Sequence, residues 1–180
     1  LNHKGRVVAF QKESSKQGRV EGLLEEELDC IWRSKKFEFL VCKADGARAK
    51  LIKCPNDDEP IIPTSCDLVV PIVSIKALGE KLTSRIAHRV DKLCELWRES
   101  SGCLITKEHI VSLMISKNGF LRNADEYKIL PLINMADSSK ELEDATEIAE
   151  MALETTDRFD KVVIGSMLKG NVKKVVCRKS

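Results

Sequence analysis

Residues 127–155 read "YKILPLINMADSSKELEDATEIAEMALET", and this stretch decides the fold. Residues 127–134 are a near-continuous apolar run, the pattern of a strand buried on both faces. Ser138, followed three residues later by Glu141, makes a capping box: the hydroxyl accepts from the N3 amide and the carboxylate reaches back to the N-cap amide. Leu142, Ala145, Ile148, Ala149 and Ala152 then form an apolar stripe at helical spacing. A buried strand, a short loop and an amphipathic helix are the first part of a parallel βαβ unit.

The same grammar extends in both directions. "FDKVVIGSM" (159–167) is the next strand, and "LKGN" turns into an edge strand over 172–176. Upstream, "DLVVPIVS" (67–74) reads as a buried strand that loses one ladder donor to Pro71. "FEFLVCKADGAR" (37–48) reads as another, ending in Asp45-Gly46. "GRVVAF" (5–10) is a short strand candidate. Helices are expected over 22–34, 88–98 and 107–116, the last capped by Thr106. The loop 53–66, "KCPNDDEPIIPTSC", holds three of the five prolines. The expectation is one α/β domain over 1–180: a mostly parallel sheet with flanking helices, a C-terminal edge hairpin, and a helical subregion over about 75–126.

Composition narrows the function. Hydrophobic residues make up 43% and charged residues 32%, a globular balance. Thirty Lys and Arg against 28 Asp and Glu leave a net charge of +2, which gives no pull toward nucleic acid or an acidic membrane. No apolar stretch reaches the roughly 18 residues of a membrane span, and no signal peptide pattern is present. Seven cysteines without a Cys-x-x-Cys, and three dispersed histidines, point away from zinc and disulfides. Free thiols suit a reducing intracellular compartment, the cytoplasm first, with an organelle left open.

In open parallel sheets ligands bind beyond the carboxyl ends of the strands. Four places qualify: Asp45 to Arg48, Ser74, Asn134 to Asp137, and Gly165-Ser166. Asp45 at a strand end suits a magnesium ion beside a phosphate, or a solvated Asp-Gly turn. Arg48, with Lys50 and Lys53, suits an anion site or an exposed basic face. The acids of "NDDEPIIP", Glu59 among them, suit a metal or a charged loop held by prolines. His88-Arg89 opens a helix, where an anion is favoured. Asn134-Met135-Ala136-Asp137 resembles the Asn-Lys-x-Asp loop of guanine-nucleotide-binding proteins, with Met135 in place of the lysine; helix capping is the alternative reading. Gly165-Ser166 would offer backbone N–H groups to the base. No Gly-x-x-x-x-Gly-Lys-Ser/Thr loop occurs, and no Ser/His/Asp or Cys/His arrangement suggests a hydrolase.

Taken in order, "FEFLVCKADGAR", "LIKCPNDDEPIIP", "HRVD" and "INMAD" resemble the four marker segments of the selenium-dependent hydroxylase accessory (YqeC-like) family, over about residues 18–167. The departures are Lys43 for Glu, Ala47 for Ser, Val90 for Pro and Met135 for Lys. The family's N-terminal Gly-x-Gly-Gly-Lys-Thr loop has no counterpart. The resemblance implies a P-loop NTPase-like fold short of its first strand and helix. It implies a GTP-leaning, nucleotide-binding accessory protein for maturation of molybdenum and selenium-dependent hydroxylases, with a client metalloenzyme or cofactor-maturation protein as partner. Asp45 would take the Mg²⁺ side, with Mg²⁺ bound only alongside nucleotide, and Arg48 a phosphate or structural role. Glu59, His88 and Arg89 would form a family-specific site, and Asn134 with Asp137 would read the base. NTP hydrolysis is not expected from these 180 residues alone and would require a phosphate-binding loop upstream of Leu1. A degenerate, non-catalytic binding or scaffold module of the same fold is the alternative.

Overall fold

The computed structural model describes residues 7–9, 12–13 and 20–179. By its internal contacts the chain divides into two units, Leu1–Cys42 with Ile62–Ser65, and Lys43–Ile61 with Cys66–Ser180.

In the first unit, β1 (Lys12–Glu13) and β2 (Val20–Glu21) pair antiparallel, and α1 spans Glu25–Arg33. Glu27 caps α1 by accepting the Leu24 N–H at 2.7 Å. Asp29, buried on α1, accepts hydrogen bonds from the hydroxyls of Thr64 and Ser65. These bonds tie the 62–65 segment to the helix. The strand expected over 5–10 falls partly outside the described residues; Val7 to Ala9 are exposed and carry no regular structure.

The second unit holds the sheet. In chain order its elements are β3 (Ile52–Lys53), β4 (Leu68–Val69), β5 (Ile72–Ser74), a 3-10 turn Ile75–Ala77, β6 (Ala87–His88), α2 (Val90–Trp97), α3 (Lys107–Ile115), β7 (Lys128–Ile129), β8 (Leu132–Asn134), α4 (Ser139–Thr155), β9 (Lys161–Ser166) and β10 (Asn171–Cys177). The main sheet runs β10-β9-β8-β5. Strands β5, β8 and β9 are parallel, and β10 closes the edge as an antiparallel hairpin with β9. The mixed α/β class, the parallel strands and the C-terminal hairpin are as the sequence indicates.

Two prolines explain why the strands are short. Leu68 faces Lys128 and Ile72 faces Leu132, so Pro71 and Pro131 fall on the same rung of one parallel ladder. Neither has an N–H, but their gaps lie on different ladders: that of Pro71 faces β8 and separates β4–β7 from β5–β8, and that of Pro131 faces β9. Their carbonyls stay in use: Pro71 accepts from Leu132 N–H at 2.9 Å and Pro131 from Val163 N–H at 2.9 Å. Leu51 joins the parallel β3–β6 pair to this sheet, donating to Ile86 O and accepting from Ser74 N–H.

The core forms where α4 packs on β9, β10 and α3. Val73, Ile133, Val162 and Ile164 of the sheet are buried together with Ala145, Ile148, Ala149 and Ala152 of α4. Burying a branched aliphatic side chain is worth about 1.5–3 kcal/mol, so this stripe supplies much of the unit's stability. Ser138 caps α4 as expected, accepting Glu141 N–H at 3.2 Å while the Glu141 carboxylate accepts Ser138 N–H at 2.8 Å. Thr106 caps α3, and the His109 ring at its N3 position stacks on Trp97 of α2 with centroids 4.6 Å apart.

One expected strand is absent. Residues 37–48 form no ladder, and Phe39 and Val41 are 79% and 93% exposed. An apolar run states a preference for burial, but a strand also needs a neighbour to take its N–H and C=O groups. Among the described residues no strand pairs with this one, so Asp45 does not stand at a strand end. No helix among the described residues is long and apolar enough to cross a membrane.

Candidate functional site

Three parallel strands deliver their carboxyl ends to one place. Strand β5 ends at Ser74, β8 at Asn134 and β9 at Ser166. The Asn134 carboxamide oxygen accepts two backbone N–H groups, Met135 at 2.8 Å and Met167 at 3.0 Å. One side chain thus ties the loop after β8 to the turn after β9. Met135 then adopts a left-handed conformation, φ 65°, which costs a non-glycine residue roughly 1 kcal/mol or more. The reversal lets Ala136 donate its N–H to Gly165 O at 3.1 Å and turns Asp137 back toward the sheet.

Asp137 is the centre of the site. Its Oδ1 accepts the Ser166 hydroxyl at 2.7 Å and Lys169 Nζ at 3.2 Å; its Oδ2 faces Lys76 Nζ at 3.2 Å. The Ser166 hydrogen bond first, then the two ammonium groups, hold the carboxyl down to about 2. It is therefore ionised at any physiological pH. Asp137 does not cap α4 with its side chain; Ser138 does that, and Glu141 accepts the Asp137 N–H at 2.9 Å. Ser74 donates its hydroxyl to Met135 Sδ at 3.1 Å. Asn134, Asp137, Gly165 and Ser166 are thus brought together. Gly165 contributes its carbonyl and Ser166 its hydroxyl, where the sequence suggested backbone N–H groups. A Cβ at Gly165 would lie 2.7 Å from Asn171 O, so glycine is required for the hairpin to pass.

The other predicted residues form a second cluster. Arg89 makes a two-pronged contact with Glu59, both bonds at 2.7 Å. Lys53 Nζ sits between Glu59 at 2.5 Å and Asp45 at 2.8 Å, with its side chain only 9% exposed. The guanidinium fork and the ammonium bring the Glu59 carboxyl down to about 2. His88 lies beside this group on β6, opposite Lys53 in register. Burial, and then the charges of Arg89, Arg48 and Lys53, push its imidazole below the usual histidine range, favouring the neutral form. Arg48 is exposed, in a turn where both it and Ala49 have positive φ. Of the other acids of the proline loop, Asp57 is also engaged, accepting from Lys92 and Arg122, each at 3.0 Å.

Lys53, grouped from the sequence with Arg48 and Lys50 as an anion site, instead neutralises two carboxylates. A divalent cation at Asp45 would have to displace that ammonium, so the carboxylates as arranged do not form a ready Mg²⁺ seat. Among the described residues no three His, Cys, Asp or Glu side chains group as a metal site. Cys30, Cys54, Cys66, Cys94, Cys103 and Cys177 are free thiols; burial pushes the Cys54 thiol up, which keeps it protonated. Sequence reasoning missed Lys76 and Lys169. Their only signal is position, two residues past Ser74 and three past Ser166.

A family model described as YqeC protein matches residues 1–91 of the 180, and the chain belongs to that family. The matched segment carries Asp45, Arg48, Glu59, His88 and Arg89, and ends before the Asn134–Asp137 loop. The chain is also 24% identical over 117 residues to the uncharacterized protein YqeC of Escherichia coli (strain K12). That alignment covers 65% of this chain and 46% of the relative, so the chain spans less than half the length of the curated relative it matches. No solved structure matches.

Proposed function

We propose that the protein is a nucleotide-binding accessory protein of guanine preference, and that Asp137 is the base-reading carboxylate. The observation that carries this reading is the ionised Asp137, fixed by Ser166 where three parallel strands end, in a loop braced by Asn134. A guanine edge offers two adjacent N–H donors to such a carboxylate; adenine lacks the ring N–H. Hydrogen bonds to a charged acceptor are worth about 1.5–3 kcal/mol each, enough for roughly tenfold discrimination or more. Met135, 38% exposed, supplies a polarizable side chain to cover a base in place of the usual lysine. A role in maturing molybdenum and selenium-dependent hydroxylases is the family expectation, and a client metalloenzyme or maturation protein is the partner it implies. Mg²⁺ would enter only with the nucleotide's phosphates.

The Lys53–Asp45 contact favours a second reading within the same frame, a binding or scaffold module that does not hydrolyse NTP. Both readings share the base site and are tested together at that point. Titrating the chain with GMP and with AMP, followed by amide chemical shifts, should give a guanine preference of about tenfold. Asp137→Ala should abolish it. Equal affinity for the two nucleotides would sink the assignment.

A further inference from the structure

An ionised carboxylate offers about four acceptor positions, two on each oxygen. At Asp137 three are filled, by Ser166 and Lys169 on Oδ1 and by Lys76 on Oδ2. A guanine edge needs one position on each oxygen at once. Oδ2 has one to spare and Oδ1 has none, so one donor must leave before a base can be read.

The surroundings decide which donor leaves. Ser166 is 1% exposed and ends a strand paired on both sides, so its hydroxyl is fixed. Lys76 competes only for the oxygen with a free position, and Glu141 lies 3.9 Å from its ammonium as an alternative partner. Lys169 stands in the turn between β9 and β10, with its side chain 54% exposed, and Asp137 is its ion-pair partner among the described residues. It is the most weakly held of the three.

We infer that Lys169 sets the specificity of the base site by competing with guanine for Asp137 Oδ1. The inference rests on the base-reading assignment of Asp137. Lys169 blocks only ligands that need Oδ1, so it lowers guanine affinity and leaves adenine affinity untouched. In the free protein it keeps the carboxylate neutralised; in the bound state its ammonium swings into solvent.

The test compares GMP and AMP binding to the full chain and to Lys169→Met, with Lys174→Met on β10 as control for losing one positive charge. An exposed ion pair of this kind is worth a factor of about two to five in an equilibrium. Lys169→Met should raise the ratio of GMP to AMP affinity by that factor, and Lys174→Met should leave the ratio unchanged. A clear guanine preference in the unmodified chain that Lys169→Met fails to raise overturns this inference alone. No preference in the unmodified chain overturns the base-reading assignment and this inference with it.

Discussion

Glu59 gives the clearest stability prediction. Glu59→Gln keeps the shape of the side chain but removes the charge that faces Arg89 and Lys53. The folded-state carboxyl lies at about 2 against an ordinary 4.5. At 1.36 kcal/mol per pKa unit this corresponds to about 3.4 kcal/mol. The side chain is 26% exposed, and solvent screening reduces the expected figure to about 2 kcal/mol. Because the folded-state pKa lies below the unfolded one, the stabilisation is complete above about pH 4.5 and is lost as pH falls toward 2. Urea unfolding at pH 7 should therefore show the variant's midpoint lower by about 1 M, for a slope near 2 kcal/mol/M. At pH 3 the gap should shrink to less than half, since the wild-type carboxylate is then losing its advantage. An equal gap at pH 7 and pH 3 would mean that Glu59 acts by packing, and no gap at pH 7 would mean that the network is not a source of stability. Either result refutes the reasoning.

Two further substitutions probe the frame around the base site. Ser138→Ala removes the α4 cap and should cost about 1 kcal/mol, lowering Tm by about 2–4 °C in calorimetry. Gly165→Ala pushes a methyl against Asn171 O and the Met167 methyl; it should cost about 1–3 kcal/mol in urea unfolding and shift the amide resonances of Ala136 and Met167.

Much of this arrangement was legible in the sequence, for identifiable reasons. Strands β8 and β9 and helix α4 announce themselves because local propensity, capping and burial agree. Asn134, Asp137 and Ser166 could be picked out because parallel strands expose their carboxyl ends to ligands. The 37–48 segment misled because its apolar run looks the same whether or not a neighbouring strand is there to receive it. Lys76 and Lys169 stayed hidden, and Lys53 reads as part of an anion site, for another reason. Lysines are frequent and mostly solvated, and only tertiary placement distinguishes one that grips a carboxylate. Glu59 stands out in the sequence, as a metal candidate or part of a charged loop and by resemblance in a family-specific site, but its ion pair with Arg89, which follows β6, comes only from tertiary placement.

The shared rung of Pro71 and Pro131 also bears on how the sheet tolerates two missing donors. Backbone groups alternate sides along a strand, so the gap at Pro71 faces β8 and the gap at Pro131 faces β9. The losses fall on different ladders, and no single pair of strands bears both. Register is set by burial instead: a shift by one residue would turn the buried faces outward and change which side chains arrive together at Ser74 and Asn134.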